Sequence, residues 1–188
     1  MYHQILQPSG LDSRSLGDEI KLRPNRDTDI DVIIIPDPTK TILSDGIIQA
    51  WHIYAKIISI HHSVYLQVWR PSLGSSIGDG AAYTLVGQTY AEPFQLRFQE
   101  IVLSAEQFLR VRRGDVLGLY HPRSNPIGWS SVPCASSLQQ LKYFRRPTAG
   151  NVTVGQSFDF VSTTTVRDDC RAYSFAALFG ECFATVPS

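Results

Sequence analysis

Apolar and polar side chains alternate through much of this 188-residue chain. The alternation points to an all-β protein: a two-sheet antiparallel sandwich, jelly-roll or similar Greek key. Three observations carry that expectation. Period-two runs recur, and successive side chains on a strand face opposite sides. Pro and Gly break the runs at short intervals, as strand-to-strand turns require. Stretches with helical spacing are too short to cover a sheet.

Residues 1–28 are polar and weakly patterned, and read as an irregular N-terminal arm or linker. That leaves 29–188 as a single sandwich domain, a length that fits one hydrophobic core. Asp31 opens a run, 31–35, whose Val32, Ile33, Ile34 and Ile35 are β-branched and which is stopped by Pro36-Asp37-Pro38. Residues 47–60 are long enough for one strand with a bend. Val64, Leu66 and Val68 share one face against Tyr65, Gln67 and Trp69. Phe94, Leu96 and Phe98 alternate in the same way with Gln95, Arg97 and Gln99. Residues 104–108 suit one helical turn with Ser104 as its cap, and 138–143 suit another.

The remaining strands follow the same logic. Val116 to Tyr120 lie between Gly114-Asp115 and His121-Pro122, so the Gly-Asp pair reads as a hairpin turn. Pro122, Pro126, Pro133 and Pro147 make 121–156 a region of long connections. Phe158 and Phe160 lead into the β-branched Val161, Thr163, Thr164, Thr165 and Val166. Tyr173, Phe175, Ala177 and Phe179 close the pattern.

Composition excludes several classes of partner. Lys+Arg and Asp+Glu both number 17, so no cationic excess recommends nucleic acid. Residues 51–150 are mildly basic, with ten basic side chains against five acidic. No segment reaches the roughly 18 consecutive apolar residues of a membrane span, so no membrane insertion is expected. The first residues lack the basic and apolar regions of a signal peptide. Cys134, Cys170 and Cys182 are three, which leaves at least one thiol free or paired elsewhere. Cys170 and Cys182 are spaced to close a small loop by a disulfide, and Cys134 is an alternative partner for either.

Candidate sites are few, and each has a plain structural explanation beside the functional one. Arg113-Gly114-Asp115 places a cation and a carboxylate across a glycine, the form an integrin-type receptor recognises through a metal ion. Asn151-Val152-Thr153 is an acceptor for N-glycosylation at Asn151. Asp27, Asp29 and Asp31 recur every second residue, but the spacing departs from a calcium loop and reads as structural. His61 and His62 are adjacent, would point to opposite faces of a strand, and do not form a metal pair. No metal and no cofactor is expected.

Trp129, Tyr143, Arg145 and Arg146 lie in expected loops, where an aromatic plane and cations can hold an acidic sugar. The same side chains can equally plug the end of a sandwich. Signatures of known enzyme classes are missing, so the chain is not expected to be an enzyme. Glu100 and Glu106 are the carboxylates available to a glycan-cleaving alternative.

The segments V-Y-L-Q-V-W-R-P at 64–71, Y-T-L-V-G-Q-T at 83–89 and L-R-V-R-R-G-D-V-L-G-L-Y at 109–120 occur in that order. With the R-A-Y-S-F-A-A-L-F run at 171–179, they resemble a β-sandwich module of poorly characterised extracellular and cell-surface proteins of invertebrates. The resemblance spans residues 40–185. It implies that Gly114-Asp115 is the fixed turn and that Arg113 occupies a variable position. It also implies an extracellular setting, secreted or as an ectodomain, in a longer polypeptide. The expected function is a non-catalytic interaction module for adhesion, matrix or ligand binding, with a protein or glycan as partner. A carbohydrate-binding domain is the nearest alternative, and a carbohydrate-active enzyme is the alternative of another class.

Overall fold

The structure, a computed structural model, describes residues 13–28, 31–57, 62–72, 82–133, 144–147, 152–159 and 171–181. Two large antiparallel sheets and one small one account for the strands. The first contains β1 (Ser13–Gly17), β3 (Gly46–Tyr54), β6 (Phe98–Val102), β7 (Leu109–Val111) and β13 (Phe175–Glu181). Its order is β1-β13-β3-β6, and β7 pairs with the beginning of β3. The second contains β2 (Asp31–Ile35), β4 (Val64–Pro71), β5 (Ala82–Ala91), β8 (Val116–His121), β10 (Phe144–Pro147) and β11 (Ser157–Asp159). Its order is β10-β2-β8-β4-β5-β11. β9 (Trp129–Ser131) and β12 (Arg171–Tyr173) pair separately.

The two large sheets share one core, which makes the fold sandwich-like as the alternation predicts. Ile33, Leu66, Val68, Leu117 and Leu119 of the six-stranded sheet meet Ile48, Trp51, Ile53, Phe175 and Ala177 of the five-stranded sheet. Each large aliphatic or aromatic side chain withdrawn from water there contributes about 1.5–3 kcal/mol. The six-stranded sheet is also buried on its other face. Val32, Ile34, Trp69, Tyr83, Leu85 and Val116 pack there with Val152 and Phe158. This is why 32–35 and 116–120 read as continuous apolar runs: β2 and β8 have two dry faces.

Burial on both faces forces a tight fit. A Cβ on Gly118 would stand 2.7 Å from the Ile33 carbonyl and 2.8 Å from Cδ1 and Nε1 of Trp69. Only glycine therefore lets the Trp69 indole lie over β8. The Trp69 Nε1–H donates to Gln67 Oε1 at 3.1 Å. Gln67 Nε2 donates to Gln88 Oε1 at 2.9 Å, and Gln88 Nε2 to the Val152 carbonyl at 3.1 Å. The fully buried Gln67 is thereby satisfied, as a polar group in a dry layer must be.

Several expectations need correction. Within the supposed arm 1–28, residues 13–17 are β1, which pairs with β13 from Ser13↔Gly180 to Gly17↔Ala176. The polar residues that follow are used inside the fold: Asp27 is only 6% exposed. The Gly114-Asp115 turn is not a hairpin. β7 belongs to the five-stranded sheet and β8 to the six-stranded one, so the turn carries the chain between sheets. The Asp115 N–H donates to the Arg112 carbonyl at 3.0 Å, and Gly114 has φ +93°, the geometry of a type II turn. Within 121–156, expected to be connections, β9 and the sheet-edge strand β10 form.

Residues 173–179 are not one strand. The chain changes sheets at the buried Ser174, whose N–H donates to the Gly128 carbonyl and whose carbonyl accepts from Tyr54, both at 3.0 Å. The turn expected at 104–108 is present as a 3-10 turn over Ala105–Gln107, where Gln107 Oε1 accepts from the Ser104 N–H at 3.1 Å. The turn expected at 138–143 lies outside the described residues.

Candidate functional site

The Arg113-Gly114-Asp115 tripeptide divides between surface and interior. Arg113 is exposed, whereas Asp115 is fully buried. Arg70 Nε and Nη2 donate to Asp115 Oδ1 and Oδ2 at 2.8 and 2.9 Å, a bidentate pair. Asp115 Oδ2 also accepts from the Arg112 backbone N–H at 2.8 Å. Hydrogen bonding to Asp115 raises the Arg70 pKa, so this guanidinium stays charged. The motif therefore does not present the solvent-exposed carboxylate that an adhesive role requires.

Trp129 is likewise engaged inside the fold. The Arg171 guanidinium lies 3.6 Å from its ring centroid, covering one aromatic face. Arg171 Nη1 donates to Asp27 Oδ1 at 2.8 Å, and the Tyr173 hydroxyl donates to Asp27 Oδ2 at 3.0 Å. Asp27 thus belongs to a buried ion pair rather than to an aspartate row: Asp31 begins β2, and Asp29 lies outside the described residues. Among the described residues, no group of three or more His, Cys, Asp or Glu is arranged to hold a metal.

Arg145 and Arg146 sit on β10, their backbones paired with Ile33 and Val32 of β2. Tyr143, Asn151, Cys134, Cys170, Cys182 and His61 lie outside the described residues. Of the two glutamates, Glu100 stands on β6 with Oε1 3.1 Å from His52 Nε2. Glu106 is exposed, and hydrogen bonds from its own backbone and from Ser104 lower its pKa. The structure thus gives Glu100 and Glu106 separate local partners.

The surface that stands out is one the sequence pattern misplaces. Phe94, Leu96 and Phe98 alternate like a buried strand, yet they are 69%, 55% and 49% exposed. Residues 92–97 are not a strand, and β6 begins only at Phe98. The inward position is taken by Gln99, which is 6% exposed. Its Nε2 donates to the Gln95 carbonyl at 2.7 Å and its Oε1 accepts from the Phe94 N–H at 3.1 Å. These bonds fold the 94–97 loop over the Gln99 side chain and leave its apolar residues facing water.

Val102 at the far end of β6 and Tyr90 at the end of β5 are also exposed. Five exposed large apolar or aromatic side chains thus fall within residues 90–102. Phe98 packs its ring edge-on against His52, 5.2 Å between centroids, and Tyr90 lies 5.2 Å from Tyr65. β6 pairs with β3 on one side, and among the described residues no strand pairs with its other side. The sequence signal for this surface is the company these residues keep: Glu92, Arg97 and Glu100 are interleaved with them. Comparison with protein families, with characterised proteins and with solved structures gives no match.

Proposed function

We propose that the chain is a non-catalytic extracellular interaction module within a larger surface or secreted protein, and that it binds a protein partner along β6. The exposed apolar side chains of Phe98 and Val102 on the edge strand β6, with Phe94 and Leu96 on the loop that leads into it, carry this reading. A soluble surface rarely leaves several large apolar side chains in contiguous display unless something covers them. An edge strand offers unpaired backbone donors and acceptors in addition. The occupant that fits both features is an extended segment of another protein. It pairs with the β6 backbone and lays its own apolar side chains against Phe98 and Val102. The extracellular setting rests on the resemblance carried by residues 64–71, 83–89 and 109–120.

Binding of the purified chain to a panel of purified ectodomains tests this proposal. A retained ectodomain should lose at least tenfold in affinity for a Phe98→Ser, Val102→Ser double variant that remains folded. Equal binding by the variant, or no retention across the panel, would overturn the proposed surface. Hydrolysis of a glycan panel by the purified chain would overturn the non-catalytic assignment.

A further inference from the structure

Beside the 112–115 turn, an open groove of about 510 Å³ is lined by residues of both large sheets. Asp45, Ile47, Arg70, Val86, Arg110 and Arg112 line it. Its construction follows from strand geometry. Arg110 and Arg112 are two residues apart on an extended segment and share a side, while Val111 between them is buried in the core. Val86 is the extra residue of a β-bulge, because Val68 pairs with Gly87 and Trp69 with Leu85. Such a bulge re-aims a side chain, and here it supplies an apolar wall.

The charges in the groove are not equivalent. Arg70 is neutralised by both oxygens of Asp115. The exposed Arg110 and Arg112 guanidiniums have no ion-pair or hydrogen-bond partner among the described residues. Asp45 spends Oδ1 on the Arg113 backbone N–H at 3.0 Å. Its second oxygen is the natural acceptor for a ligand hydroxyl.

We infer that this groove binds an acidic saccharide of one or two sugar units. Arg110 and Arg112 receive the carboxylate or sulfate ester, as guanidinium forks do. Asp45 accepts from a ring hydroxyl, and the aliphatic C–H face of the sugar rests on Ile47 and Val86. The volume falls in the range of about 300–1,000 Å³ usual for small-ligand sites, well short of a macromolecular footprint. Asp45 also sets the groove against a bare polyanion, which it repels without receiving a hydroxyl in exchange. The site shares no residue with the β6 apolar surface and does not depend on it.

Calorimetric titration of the full chain tests the inference, with four probes: a uronate disaccharide, a sulfated neutral disaccharide, the unmodified neutral disaccharide and inorganic sulfate. At least one acidic disaccharide should bind, and which one identifies the acidic group. The neutral disaccharide and sulfate alone should bind at least tenfold more weakly. An Arg110→Gln, Arg112→Gln variant with unchanged thermal unfolding should lose the acidic ligand by tenfold or more. Asp45→Asn should weaken the acidic disaccharide and not sulfate. Binding of neither acidic disaccharide, equal binding by the arginine variant, or sulfate binding as tightly as the sugar would overturn the inference.

Discussion

Arg70 and Asp115, 45 residues apart in sequence, close the end of the sandwich with a two-bond ion pair whose carboxylate is wholly withdrawn from water. The pair ties β4 to the turn that moves the chain between sheets. The Gly114 N–H and the Asp115 carbonyl add bonds to the Ile42 carbonyl and N–H, at 2.8 and 2.9 Å. A tripeptide that looks like a recognition motif is in this way the clasp of the fold.

Arg70→Met should therefore destabilise the protein by about 3 kcal/mol, because it strands a buried carboxylate. The loss sits at the low end for a buried pair, since the Arg70 side chain is 33% exposed and partly hydrated. Asp115→Asn should cost less, because the arginine left behind can reach water. Urea midpoints of the two variants check the order.

Gly118→Ala should cost about 2–3 kcal/mol, as overpacking a filled layer does. The new methyl would collide with the Ile33 carbonyl and the Trp69 indole. Gly87→Ala is the contrast: its nearest neighbour is the Leu109 Cδ2 at 3.2 Å, the end of a side chain that can turn aside. Thermal unfolding of both variants should show a large loss only for Gly118.

Among the described residues, Asp27 and Arg171 form the most buried ion pair, with side chains 5% and 4% exposed. Asp27→Asn or Arg171→Met alone should cost about 3–5 kcal/mol, since each leaves its partner charged and buried. The double variant should cost much less than the sum, because the two act as a unit. A double-mutant cycle by urea denaturation measures the coupling.

Stability at alkaline pH should depend on Tyr120. Burial, and then the neighbouring Tyr65, raise its pKa. The rings stack with centroids 5.6 Å apart. With the folded value above the unfolded one, the contribution is fully present below about pH 10 and is lost as pH rises through the folded pKa. Above about pH 10 the unfolded chain releases this proton first, so stability falls. Tyr120→Phe should make that alkaline decline shallower in urea unfolding series between about pH 9 and pH 11.

The strands were legible where one period and one buried face coincide, as at Val64, Leu66 and Val68. They were legible too at β2 and β8, where a β-branched or apolar run is bounded by Pro or Gly. Phe94, Leu96 and Phe98 show the limit. Alternation says that three side chains share a side, not which side is dry, and Gln99 takes the inward place through bonds to Phe94 and Gln95.

Sheet membership was hidden for a related reason. The Gly114 turn was readable from its residues, but the partners of β7 and β8 lie far along the chain. Asp27 and Arg171 are 144 residues apart, and no local pattern links them. Arg110 and Arg112 share a side by simple alternation, while their meeting with Arg70 and the bulged Val86 needs both sheets in place.

The most direct test of the account is the affinity of a bound ectodomain for the wild-type chain and for the Phe98→Ser, Val102→Ser variant. Val102 is exposed and Phe98 is half-exposed against His52, so the variant should stay folded and lose no more than about 2 kcal/mol. A loss of affinity of tenfold or more, with folding intact, is the result that the β6 surface predicts. Unchanged affinity in the folded variant would contradict it.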